Sequence, residues 1–209
     1  MAKVSPVVVM ATFSDYLVAP GGNKRISLVR AQVTQFSEDY NPGKDFYRPM
    51  GVALQEAIRF RTGTAPIERA VLNARLRAVD HYKEIGDNIG KYVQAAQTAR
   101  ILDVDRWEWV QPNVTVKVNP DFALIRKDGR VEVVKVYYKA PQLGRFQADA
   151  MLRLLEYAMP HLSVKGTPVI LDARRGKEWR PTPKPRAGLD EYLASEALAY
   201  GALWQSLTA

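Results

Sequence analysis

The chain has 209 residues, a formal net charge of +8 and a pI near 9.7. Charged residues make up 25% and hydrophobic ones 47%, a balance that suits a folded domain and excludes a disordered chain. There are no cysteines, which excludes disulfides, thiolate zinc sites and a cysteine nucleophile.

No stretch approaches ~18 unbroken apolar residues, so no membrane span is expected. The apolar run Val7 to Ala11 is too short for a secretory signal. The expected setting is therefore cytoplasmic. The basic balance favours polyanionic partners through attraction of phosphates.

A short helix is expected over Ser14 to Val18, followed by a turn at Ala19 to Asn23. Arg25 to Phe36 alternates loosely, with Ile26, Leu28 and Val33 apolar, and reads as a strand. Glu38 to Asp45 reads as a loop broken by Asn41-Pro42 and Gly43. From Phe46 to Phe60 the period becomes helical, with Met50, Ala53, Leu54, Ala57 and Ile58 on one side and Gly63 as the C-terminal cap. A longer stripe runs from Pro66 to about Ala96. Gly86 and Gly90 lie within it and predict two helices meeting near Gly86, one bent helix, or a close crossing with another helix.

Strands are expected over Arg106 to Gln111 and Val114 to Val118, joined by a Pro112-Asn113 turn. A hairpin follows, from Asp121 to Arg126 and from Val131 to Lys139, closed by Lys127-Asp128-Gly129. Gly144 to Met159 is helical and Pro160 ends it. Thr167 to Arg174 reads as a strand, residues 174–188 as a basic proline-rich linker, and residues 189–207 as a C-terminal helix. The expectation is one α+β domain over residues 1–209, α/β-like in having a crossover helix between two parallel strands.

The hairpin and the helix after it carry a family resemblance. Pro120-Asp121 enters one strand, Lys135 stands in the middle of the next, and Gln147 lies on the following helix. With the order helix, three strands, helix, strand over about residues 46–173, the chain resembles a divergent PD-(D/E)XK nuclease with a restriction-endonuclease-like core. "VNPDFAL" and "VVKVYYK" also resemble segments of a group of uncharacterised bacterial proteins. The nuclease resemblance implies a catalytic set of Asp121, Glu132 and Lys135, with Asp121 as a ligand to Mg²⁺. Such a site needs two carboxylate ligands on one metal and a lysine beside the activated water.

Alternate strand residues share a face, so the second acid belongs two residues before Lys135. Val133 occupies that position, and Glu132 points the other way unless a bulge turns it. A displaced acid from the next helix, Asp149 or Glu156, is an alternative; solvated surface acids are the plainer reading of both. Glu56, on the first core helix, is another acid of this kind, or else the partner of Arg59. The Asp121–Lys135 pair itself reads equally as a structural salt bridge. His81 and His161 lack ligand spacing, and His81 reads as a surface residue.

The missing acid favours holding nucleic acid over cutting it, DNA ahead of RNA. Lys139, Arg174, Arg175, Lys177, Trp179 and Arg180 are the expected contacts, cations for phosphates and an indole for base stacking. The alternatives are an active magnesium-dependent endonuclease, and a non-enzymatic domain that meets a protein partner or itself through residues 66–97.

Overall fold

The computed structural model of the chain describes residues 5–37, 46–183 and 186–209. The expected loop 38–45 and Lys184 of the expected linker lie outside the described residues. The fold is mixed α+β with two mixed sheets. Strand β1 (Val7–Val9) runs straight into helix α1 (Met10–Val18), four residues longer at its start than the sequence suggests.

Helix α2 (Gly21–Ser37) occupies the stretch expected to be a strand. Ile26, Val29 and Val33 step by three and four, a helical spacing, and Val29 is fully buried.

Helix α3 (Arg48–Arg59) matches the expected helix. The N–H of Thr62 donates to Ala57 O at 3.2 Å, and Arg61, not Gly63, takes the left-handed position that closes it, at φ 56°. Next come α4 (Ala65–Leu72), a 3-10 turn (Leu76–Ala78) and α5 (Val79–Ala96). There are two helices, but they break at residues 73–75, not near Gly86. Gly86 sits where α4 crosses α5: a Cβ there would stand 3.4 Å from Val71 Cγ2.

Strands β2 (Arg100–Leu102), β3 (Trp107–Gln111), β4 (Val114–Val118), β5 (Phe122–Ile125) and β6 (Val131–Tyr137) follow. After α6 (Arg145–Ala158) come β7 (Thr167–Asp172), β8 (Lys177–Trp179) and α7 (Leu189–Thr208). β2 and β8 have three residues each, too few to show a period. β8 falls inside the expected linker, so part of that tract is sheet edge.

One sheet has the order β1-β4-β3, the other β2-β5-β6-β7-β8. The β3–β4 hairpin is thus in a different sheet from β5 and β6. Helix α6 crosses over between the parallel strands β6 and β7, as expected. β6 is buried along nearly its whole length, which explains its continuous apolar run. Ala123, Val133 and Ile170 face α1, α6 and the small sheet, whereas Leu124, Val134 and Leu171 face α3 and α5.

Candidate functional site

Asp121 immediately precedes β5 and lies opposite Lys135 of β6, because Phe122 pairs with Val134 in regular antiparallel register. Lys135 Nζ stands 3.2 Å from each Asp121 carboxylate oxygen. Oδ2 also accepts the Val136 N–H at 2.7 Å, and the Asp121 N–H donates to Val134 O at 2.8 Å. The carboxylate therefore continues the ladder where β5 has not yet begun. Lys135 is only 8% exposed. An ammonium that deep needs a counter-charge, and Asp121 supplies it.

Val133 is fully buried on the same face as Lys135, among the core residues. Glu132 pairs with Leu124 and Thr167 in unbroken register on both sides, so no bulge brings it to Lys135. It points to the opposite face. There Arg126 Nε donates to Glu132 Oε2 at 2.8 Å, and Arg180 Nη2 stands 2.8 Å from Oε1. The acids considered as replacements are also engaged elsewhere. Asp149 pairs with Arg145, Glu156 with Arg153 and Arg186, and Glu56 with Arg69, not Arg59. Among the described residues, no group of three or more His, Asp or Glu side chains gathers as metal ligands do. The expected magnesium ligands do not come together: Asp121 is already bonded to Lys135 and the Val136 N–H, and Glu132, Asp149, Glu156 and Glu56 are each paired with arginines.

The structure adds a neighbour that the sequence does not reveal. Asp15 of α1 ion-pairs with Lys139, whose Nζ also donates to Ala11 O at 3.2 Å. Gln147 Nε2 donates to Asp15 Oδ1 at 3.0 Å and to Ser14 Oγ at 3.2 Å. Asp15 and Lys139 are 124 positions apart, and no spacing rule links them. Tyr137, on the same face as Lys135 and Lys139, has a buried hydroxyl; burial and then the Asp15 charge push it up to about 12. Its register partner Asp172 is also buried, and desolvation raises its carboxyl above the usual range. Lys139 is thus a strut between β6 and α1, not a free cation.

The expected basic tract is largely tied down as well. Arg174 is 3% exposed, donates to Tyr138 O at 2.8 Å and Tyr47 Oη at 2.9 Å, and contacts Glu84 and His81. It joins β7 to α5 and cannot reach a phosphate. His81, expected at the surface, is half-buried against it and against Phe46. Arg175 donates to Ala140 O at 2.8 Å and faces Asp172. Lys177 lies 3.7 Å from the centre of the Trp179 ring, covering the indole expected to stack on a base. Arg180 is held by Glu132 and Glu178.

Two clefts remain. One is an open bowl of about 550 Å³, lined by Arg126, Lys127, Arg130 and Arg180 with Asp128 and Glu132. Arg130 pairs with Asp128, so Lys127 is the cation of the group with no ion pair to a described acid. The other, about 510 Å³, lies among α3, α4 and the start of α5. It has arginines at its rim and small apolar side chains inside. Neither is lined by Asp121 or Lys135.

No protein-family model matches the sequence, and no curated protein matches it. No described helix is long and apolar enough to cross a membrane.

Proposed function

We propose that the chain is a nuclease-like domain that binds nucleic acid without cutting it. The order α5, β2, β5, β6, α6, β7 supports the nuclease-like reading. It is helix, three strands, helix, strand, with β3 and β4 set aside in the second sheet. Asp121 and Lys135 then take the positions that the family resemblance gives to the metal ligand and the lysine. They hold each other, and Val133 fills the place of the second acid.

The observation that carries the binding reading is the open bowl beside the β5–β6 turn. Four cationic side chains surround it, against two acids. It keeps Arg180 of the expected tract and replaces the rest with Arg126, Lys127 and Arg130. Lys127, exposed and without an ion pair to a described acid, would meet phosphates directly, and the exposed Arg130 would do so by exchanging Asp128 for a phosphate; Arg126 and Arg180 clamp Glu132 at the floor. Such contacts are sequence-independent and weaken with salt.

Fluorescence anisotropy with labelled DNA and RNA oligonucleotides tests this. Affinity should fall steeply between about 50 and 200 mM salt. It should drop roughly tenfold or more for Lys127→Glu with Arg130→Glu. Absence of binding at the lower salt, or binding that ignores the double substitution, refutes the reading.

A further inference from the structure

The second cleft differs in character from the bowl. Val52, Ala70 and Ala74 form apolar lining, and Arg48, Arg75 and Arg77 stand exposed around it. Glu56, the only acid among the described residues of the lining, is taken by Arg69 at 3.0 Å. No described acid pairs with Arg48, Arg75 or Arg77. Apolar surface also spreads onto the rim. Val52 is 57% exposed, and Leu72 and Leu76, which flank the 73–75 break and adjoin the lining residues Asn73, Arg75 and Arg77 in sequence, are 85% and 94% exposed. Solvent-facing leucines beside an apolar cleft mark an interaction surface.

We propose that this cleft docks an acidic segment of a partner protein, its apolar side chains on Val52, Ala70 and Ala74, its carboxylates on Arg48, Arg75 and Arg77. Planar guanidinium groups suit paired contacts to carboxylates. The apolar share argues against a nucleic acid strand at this place. The aromatics of the cleft offer no free face to a base: Tyr82 is buried with its hydroxyl bonded to Phe46 O at 2.6 Å, and Phe46 packs against Tyr47, His81 and Tyr82. A second copy of the chain is disfavoured by its own +8 charge, which would bring like charges together. An acidic partner satisfies both the arginines and the leucines.

The test is selection from a random library of displayed 16-residue peptides against the full chain, with affinities then measured by anisotropy. Selected peptides should be enriched in Asp and Glu interleaved with Leu, Ile, Phe or Trp. Their affinity should fall roughly tenfold or more for Arg75→Glu with Arg77→Glu, and likewise for Val52→Glu. These positions are solvent-facing, and an unchanged thermal unfolding curve will show that the variants fold. Lys127→Glu with Arg130→Glu, at the bowl, should leave peptide binding unchanged. The proposal is overturned if no peptide is selected, if the selected peptides are not acidic, or if the cleft substitutions have no effect. Displacement of the peptide by a short single-stranded oligonucleotide would overturn it too, and would move nucleic acid to this cleft.

Discussion

Removing the carboxylate of Asp121 should cost far more than removing the ammonium of Lys135. Asp121→Ala leaves a nearly buried cation with no partner and orphans the Val136 N–H that Oδ2 accepts at 2.7 Å. Breaking a fully buried pair costs about 3–5 kcal/mol, and an orphaned buried donor about 1–3 kcal/mol. The Asp121 side chain is 28% exposed, so water moderates the first figure. The two losses also overlap, and about 3 kcal/mol is expected in all. Lys135→Met keeps the aliphatic stem and leaves Asp121 bonded to Val136 and partly hydrated, at a cost of about 1 kcal/mol or less. The double variant should be more stable than Asp121→Ala alone, because no buried cation is left stranded. Urea unfolding at neutral pH reads these differences; 3 kcal/mol moves the midpoint by roughly 1.5 M at a slope of about 2 kcal/mol/M. Equal losses for the two single variants, or strictly additive losses in the double, would refute the structural ion pair.

Arg174→Ala should destabilise the fold by about 3 kcal/mol, since a buried guanidinium with several partners is removed. The folded variant should still bind nucleic acid with wild-type affinity, which anisotropy at low salt will measure. Gly201→Ala should also destabilise, by about 1–3 kcal/mol, because a Cβ there would lie 2.3 Å from Asn113 Cβ and 2.4 Å from Asn113 O, forcing α7 off the β3–β4 turn. Thermal unfolding checks it. Asp190 is held down at about 2, first by hydrogen bonds from Arg153, which tie α6 to the first turn of α7. A lowered folded value means that the stabilisation is complete above the ordinary value of about 4 and is lost as pH falls toward 2. The melting-temperature gap between wild type and Asp190→Asn should therefore close over that range. Asp172 runs in the opposite sense. Burial raises its carboxyl, so its charge opposes folding at neutral pH, and Asp172→Asn should raise the melting temperature at pH 7 and gain less in acid.

Most of the β-rich half is legible in the sequence because its signals are local. Alternation in "WEWVQ" and "VTVKV", the Lys127-Asp128-Gly129 turn and the stripe of α6 each fix an element within a few residues. Pairing between elements is not local, so the division of these strands between two sheets could not be read. The α2 stretch is ambiguous in sequence, since Ile26, Val29 and Val33 fit a helix while Ile26 and Leu28 fit a strand; packing on α7 decides it, through contacts such as Arg25 with Glu196. The Val133 gap and the Asp121–Lys135 pairing were legible, since both follow from strand alternation. The fate of Arg174 and Lys139 was not. Whether a cation is free depends on acids such as Glu84 and Asp15, brought to it by distant helices.

The measurement that bears most directly on a binding, non-cutting domain is a cleavage assay with Mg²⁺ or Mn²⁺. Plasmid, linear duplex and single-stranded substrates are incubated with wild type and with Lys135→Ala. Wild type should retard the substrates at low salt and leave them intact. Metal-dependent cleavage by wild type that Lys135→Ala abolishes would contradict the account and restore Asp121 and Lys135 as an active centre.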